Sequence, residues 1–166
     1  MGKIWELLNA PETVLVFDID GTLISYNYGE YRAHHKLDQA STEEEFKGID
    51  IYNGCRGIPV IREFLQGRDL SRVYCLSMEP HEHDVSKRRA IHQYYGIAPS
   101  HIYLVADHSE KPATLTQIAK EFGENTKVVF IDDNSKVLRA VEEQTPFCTA
   151  HVSIFFEDRE SVISLD

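Results

Sequence analysis

Short apolar runs alternate with amphipathic stretches along most of the chain. Five runs rich in β-branched and aromatic residues have the length of buried strands, at 13–17, 72–76, 101–106, 127–131 and 151–156. Four segments with apolar residues at helical spacing lie between them, at 58–66, 83–95, 112–122 and 134–143. This alternation predicts βαβ units and therefore an α/β fold, a doubly wound three-layer α/β/α sandwich around a mainly parallel sheet.

One polar segment, residues 24–56, interrupts this alternation. At about 33 residues it is longer than most loops, so we expect it either to be functional or to carry local structure. Its tyrosines either pack within the loop or contact a substrate; they are Tyr26, Tyr28, Tyr31 and Tyr52. Because the chain has no linker, internal repeat or low-complexity tract, we predict one domain over 1–166 with a small insertion at about 24–56.

Composition and charge narrow the class of protein. The 166 residues include 17 Lys and Arg against 27 Asp and Glu, a formal net charge of −10 that disfavours nucleic acid as a partner. No apolar run approaches the roughly 18 residues that a membrane span needs. Cys55, Cys75 and Cys148 have unrelated spacings, which predicts reduced thiols. With no signal-peptide pattern at the N-terminus, we expect a cytoplasmic protein.

Pairs of acidic residues follow two of the predicted strands. Asp18 and Asp20 follow the first strand, and Asp132 and Asp133 follow the fourth. In parallel sheets ligands bind at the carboxyl ends of the strands, where these four carboxylates would meet. So many carboxylates stay ionised together only with a cation among them, and oxygen-only ligands suit Mg²⁺. The sequence therefore predicts a magnesium site.

The residue types near this edge suit covalent catalysis on phosphorus. One carboxylate of the Asp18 and Asp20 pair can attack as a nucleophile, while the other protonates the leaving group and later activates water. Gly21 permits a sharp turn after them. Ser77 and Lys111, which follow the second and third strands, can supply a hydroxyl and a positive charge to the phosphoryl oxygens.

Four motifs occur in the order found in one large enzyme group. They are VLVFDIDGTL from Val14 to Leu23, Ser77 at the end of VYCLS, Lys111-Pro112, and VVFIDDN from Val128 to Asn134. In these motifs the chain resembles the haloacid dehalogenase superfamily of aspartate-nucleophile phosphohydrolases. The resemblance implies the Rossmannoid fold of that superfamily. Because Asp20 is retained, it also implies hydrolysis or transfer of a phosphate ester and not dehalogenation.

The resemblance assigns catalytic roles to Asp18, Asp20, Ser77 and Lys111. Asp18 would be the nucleophile, and Asp20 the general acid and base. Ser77 would bind a phosphoryl oxygen, and Lys111 would neutralise the nucleophile and the phosphate. Thr22 would orient the loop, which places it with Ser77 and Lys111 among the substrate-binding residues.

A second set would hold Mg²⁺ according to the same resemblance. Asp18 would be a ligand through its side chain and Asp20 through its backbone carbonyl. Asp133 aligns best with the usual direct ligand, and Asp132 would bind directly or through water. Asp107 follows the third predicted strand, and we interpret it as a strand-end cap and not as a ligand.

Two features depart from the pattern or compete with it. Glu79 follows Ser77 where the superfamily more often has a small or amide residue. Lys87 competes with Lys111 for the third motif, but Pro112 and the place of Lys111 one strand before Asp132 favour Lys111, so we expect Lys87 on a solvated basic helix face.

The insertion at 24–56 is far smaller than the substrate-specificity caps of the superfamily. The chain therefore resembles its capless members, which accept large substrates or close the site with a neighbouring subunit, so an oligomer is possible. We expect a Mg²⁺-dependent phosphomonoesterase that forms an aspartyl-phosphate on a small or macromolecular phosphorylated substrate. The alternatives are a phosphotransferase or mutase on the same scaffold and a non-catalytic binding module.

Overall fold

The computed structural model describes residues 3–25, 50, 52–53, 55–79 and 83–156. The strands in these ranges are β1 (Val14–Phe17), β2 (Ile24–Ser25), β3 (Arg56–Gly57), β4 (Val73–Met78), β5 (Ile102–Val105), β6 (Val128–Asp132) and β7 (Cys148–His151). The α-helices are α1 (Lys3–Asn9), α2 (Pro59–Leu65), α3 (Asp84–Tyr95), α4 (Lys111–Lys120) and α5 (Ser135–Gln144).

Five strands form one parallel sheet in the order β5-β4-β1-β6-β7. Every neighbouring pair in it is parallel, with Phe17 of β1 level with Cys75 of β4 and Ile131 of β6. Chain order therefore reverses beside β1, which is the Rossmann-like arrangement that opens a crevice at the carboxyl ends of the strands. The predicted α/β class with a parallel sheet is confirmed.

Helices cover both faces of the sheet. In β1, Leu15 and Phe17 pack into the cluster that includes side chains of α1, α2 and α3. Val14 and Val16 point to the opposite face and pack into the cluster formed with α4 and α5. Because side chains alternate along a strand, a run buried on both faces reads as continuously apolar. The predicted three-layer sandwich is confirmed.

The predicted strand at 151–156 is wrong. The strand lies earlier, at Cys148–His151, and residues Val152–Phe156 form a short 3₁₀-helix. Ala150 is the one buried residue of this edge strand, so its four residues form no apolar run. The apolar run is explained by the helix, which buries Val152 and Phe155 three positions apart.

Phe155 packs against aromatic rings from both ends of the chain's first half. Its ring centroid lies 5.7 Å from Trp5 and 5.1 Å from Phe64, both in edge-to-face geometry. Trp5 belongs to α1, a helix that the sequence analysis does not predict. These contacts fix the chain after β7 and close the core under α1 and α2.

Both ends of the insertion are anchored to the sandwich. Ile24 pairs with Gly57 in the antiparallel β2–β3 ladder. The hydroxyl of Tyr95 on α3 donates to the Leu23 carbonyl and accepts the Ile58 amide at 2.7 Å. Most of the insertion, with Tyr26, Tyr28 and Tyr31, lies outside the described residues, so the roles considered for these three tyrosines stay predictions.

The cysteines and the helices of the described residues bear on two predictions, those on thiols and on membrane spans. All three cysteines are free thiols; Cys55 and Cys75 are buried, and Cys148 is exposed. Burial raises the pKa of Cys75 far above that of an exposed thiol, which makes it unreactive. None of the described helices has the length and apolar character needed to cross a membrane.

Candidate active site

Three carboxylates meet where β1 and β6 end. Asp18 directly follows β1, and its amide donates to the Ile131 carbonyl of β6 at 2.7 Å. Asp132 is the last residue of β6, and Asp133 follows it. One oxygen of each of these three carboxylates lies within 4.8 Å of the others. An oxygen-only group of this size could hold a divalent cation such as Mg²⁺.

Lys111 bridges two of these carboxylates. Its Nζ lies 2.8 Å from Asp18 Oδ1 and 2.9 Å from Asp132 Oδ2, and the side chain is 1% exposed. Lys111 begins α4, which follows a 3₁₀-turn capped by Asp107 through a hydrogen bond from the Ser109 amide at 2.8 Å. The interpretation of Asp107 as a cap is thus confirmed, and the cap fixes where Lys111 leaves the backbone.

The site has three carboxylates but one ammonium group, which pairs with two of them, so the described residues of the site carry excess negative charge. Burial raises the pKa of Asp18 to about 6; Lys111 opposes this shift and Asp132 adds to it. Burial and the charge of Asp132 also raise the pKa of Asp133. Burial alone would lower the pKa of Lys111, but its attraction to Asp18 and Asp132 raises it instead. A bound divalent cation would relieve the repulsion among these acids.

The turn after β1 brings its backbone against Asp133. The Ile19 carbonyl accepts amide hydrogen bonds from Thr22, Leu23 and Ile24 at 2.9–3.2 Å, which closes a tight turn. Gly21 has φ +79°, and a Cβ there would lie 2.5 Å from Asp133 Oδ2. Glycine is therefore required both by the left-handed backbone and by the adjacent carboxylate.

Thr22 is fully buried within this turn. Its hydroxyl has no hydrogen-bond partner among the described residues. The role in orienting the loop that the resemblance gives it stays a prediction.

Asp20 belongs to a second, adjoining group of side chains. Its Oδ1 accepts the hydroxyl of Tyr52 at 2.8 Å. Its Oδ2 lies 2.6 Å from Nζ of Lys87 and accepts the hydroxyl of Ser77 at 3.4 Å. The side chain of Asp20 is 32% exposed, so a substrate can reach it. The structure thus brings Asp18, Asp20, Ser77 and Lys111 to one edge of the sheet, as the motifs predict.

Lys87 does not lie on a solvated helix face, and that prediction is wrong. Its side chain is 1% exposed, and Nζ donates to the Met78 carbonyl at the end of β4 at 2.8 Å. The buried face of α3 consists of Lys87, Ala90, Ile91 and Tyr95. Lysine side chains usually face solvent, so the sequence alone predicts an exposed Lys87. Its helical spacing from the apolar residues 90, 91 and 95 was the available clue.

Glu79 is also buried, and its carboxylate forms an ion pair with the same lysine. Its Oε2 lies 3.8 Å from Nζ of Lys87, and its Oε1 accepts the amide of His83 at 3.2 Å. The acid that departs from the superfamily pattern is therefore bound within the second group.

These groups together can support nucleophilic attack by a carboxylate beside a lysine, with a second carboxylate for proton transfer. A scan against protein-family models finds no match for the chain, and a search of curated proteins finds none either.

Proposed function

We propose that this chain is a Mg²⁺-dependent phosphomonoesterase of the haloacid dehalogenase type, with an aspartyl-phosphate intermediate on Asp18. The observation that carries the proposal is the position of Lys111, whose Nζ lies between Asp18 and Asp132 while Asp133 offers a third oxygen. A lysine shared by two buried acids positions and neutralises a carboxylate that would otherwise repel a phosphate. The four sequence motifs support the same assignment.

In the first step, a carboxylate oxygen of Asp18 attacks the phosphorus in line with the leaving oxygen. The bond from phosphorus to the leaving oxygen breaks, and Asp20, which enters this step protonated, gives its proton to that oxygen, so that a neutral alcohol departs. The hydroxyl of Ser77 and the ammonium of Lys111 stabilise charge on the phosphoryl oxygens. Mg²⁺ held by Asp18, Asp132 and Asp133 would add positive charge to the same site when bound.

In the second step, water attacks the phosphorus of the aspartyl-phosphate. Asp20, now ionised, accepts a proton from this water, and the acyl phosphate bond breaks to release inorganic phosphate and the Asp18 carboxylate. The same residue acts as acid and then as base, so the enzyme returns to its starting state. A phosphotransferase would instead pass the phosphoryl group to an acceptor alcohol.

The substrate is a phosphomonoester, either a small molecule or part of a macromolecule. Asp20 and Asp133 are accessible at the site, and the net charge of −10 disfavours polynucleotide substrates. Free thiols at Cys55 and Cys75 suit a reducing compartment, and we place the activity in the cytoplasm.

Phosphate release from a generic aryl phosphate tests the proposal. We expect release that requires Mg²⁺ and is lost in Asp18→Asn, while Lys120→Met, which changes an exposed lysine at the end of α4, keeps the wild-type rate. An Asp18→Asn variant with unchanged turnover, or full activity of the wild type in EDTA, would refute it. Phosphate transfer to an added alcohol without phosphate release would favour the phosphotransferase.

A further inference from the structure

Both oxygens of Asp20 are held by side chains to which the proposed chemistry gives no role. Tyr52 donates to Oδ1, and Lys87 pairs with Oδ2. We propose that Lys87 and Tyr52 are positioning residues that fix the plane of the Asp20 carboxyl group for the proton transfers to the leaving oxygen and from water, without touching the substrate themselves. This inference rests on the proposed function, because it assigns a task to residues around its acid and base.

The side chain of Lys87 is held in position by residues at the end of β4. Its ammonium group donates to the backbone carbonyl of Met78 at 2.8 Å and lies 3.8 Å from Oε2 of Glu79. Its own amide continues α3 by donating to the His83 carbonyl at 2.9 Å. A buried ammonium is costly unless such partners surround it, so these two contacts help to hold Nζ beside Asp20.

Tyr52, which lies in the insertion, holds the other oxygen of the Asp20 side chain. Its side chain is buried, and its hydroxyl lies 2.8 Å from Asp20 Oδ1. Nζ of Lys87 lies 5.7 Å from the centre of its ring, within range of a cation–π contact. A carboxylate held at one oxygen still rotates, whereas partners at both oxygens fix its plane. Orientation of this kind matters because a misplacement of about 1 Å can cost about 10²-fold in rate.

The two buried lysines of the site therefore have separate tasks. Lys111 pairs with Asp18 and Asp132, and Lys87 pairs with Asp20 and Glu79. Loss of Lys87 should consequently impair proton transfer to the leaving group more than the attack by Asp18.

Leaving groups of different acidity separate these two effects. 2,4-Dinitrophenolate departs without a proton, whereas phenolate needs one, and kcat/KM reports the steps up to departure of the leaving group. For Lys87→Met we expect kcat/KM to fall about 10²-fold on phenyl phosphate and less than about 10-fold on 2,4-dinitrophenyl phosphate, since general acid catalysis contributes about 10²-fold or more. Tyr52→Phe should show the same asymmetry with a smaller loss on phenyl phosphate.

Matched controls change the exposed lysine at the end of α4 and a tyrosine whose hydroxyl bonds Glu121. Both control variants, Lys120→Met and Tyr103→Phe, should leave kcat/KM on both substrates within about twofold of wild type. Tyr52→Phe removes one hydroxyl and keeps the ring, so it tests the proposal even if Lys87→Met does not fold. Its Mg²⁺ affinity, measured by calorimetry in the absence of substrate, should stay within about twofold of wild type, because the Tyr52 hydroxyl bonds the side chain of Asp20, which is not one of the three clustered carboxylates.

An equal loss on both substrates, or no loss on either, would refute the positioning role while leaving the phosphatase proposal intact. A Tyr52→Phe variant with Mg²⁺ affinity weakened tenfold or more would refute it too, because it would assign the hydroxyl to the cation site. A wild-type protein that releases phosphate from neither ester would refute the proposed function and, with it, this inference.

Discussion

Replacing Asp18 by Asn should stabilise the protein in the absence of a divalent cation, even though it abolishes turnover. The pKa of Asp18 is about 6, against 3.8 for an ordinary aspartate, chiefly because the carboxyl is buried. A raised pKa means that the folded chain binds a proton more tightly than the unfolded chain does. Asp18 therefore costs stability progressively as the pH rises from about 4 to about 6, and at a constant level above that.

The size of this cost follows from the difference between the two pKa values. That difference corresponds to about 3 kcal/mol once Asp18 is ionised, at about 1.4 kcal/mol per pKa unit. Relaxation of Lys111 and Asp132 reduces it, so we expect Asp18→Asn to gain on the order of 1–2 kcal/mol in EDTA at pH 8 and close to nothing near pH 4. Asn retains a side-chain oxygen that can accept a hydrogen bond from the Lys111 ammonium group.

Urea unfolding of both proteins at the two pH values measures this gain. Mg²⁺ at 100 times its dissociation constant should then stabilise the wild type by about 2.7 kcal/mol and Asp18→Asn by much less. If Asp18→Asn is less stable than the wild type in EDTA at pH 8, attraction to Lys111 outweighs burial, and the argument for a cation from excess charge fails.

Three further substitutions test separate parts of the site. Gly21→Ala should weaken Mg²⁺ binding and lower stability by about 1–3 kcal/mol, because φ is +79° and the new Cβ would meet Asp133; wild-type affinity by calorimetry would contradict this. Lys111→Met should lower kcat by about 10²–10³-fold, while Lys120→Met should not; equal rates would exclude Lys111 from the chemistry. Tyr95→Phe should lower the free energy of unfolding by about 1–2 kcal/mol, since its hydroxyl ties both ends of the insertion; an unchanged urea midpoint would disprove that link.

The central strands and the edge strand β5 could be predicted from sequence, but the other edge strand, β7, could not. β1 and β6 are buried on both faces, so every residue of them is apolar up to the acids at the carboxyl end. The CTAH segment of β7 lies at the sheet edge and has no such pattern. The apolar run just after it follows the spacing of a 3₁₀-helix, which short runs do not distinguish from a strand.

The carboxylates of the site could be predicted because parallel topology brings strand ends together. The partners of Asp20 could not, since Tyr52 lies 32 positions away within a polar segment and Lys87 lies on a helix. A lysine is exposed in most proteins, and its burial here depends on acceptors supplied by β4, Glu79 and Asp20. That these acceptors surround the buried ammonium group can be seen only in the folded structure.

The central claim is that a carboxylate oxygen of Asp18 becomes bonded to phosphorus. Borohydride reduces an acyl phosphate to an alcohol and would convert a phosphorylated aspartate to homoserine, which peptide mass spectrometry can locate. After rapid quenching of the enzyme with an aryl phosphate and Mg²⁺, we predict homoserine at position 18, and none when Mg²⁺ or substrate is omitted. Homoserine at position 20 instead, or phosphate release with no homoserine at any aspartate, would contradict the account.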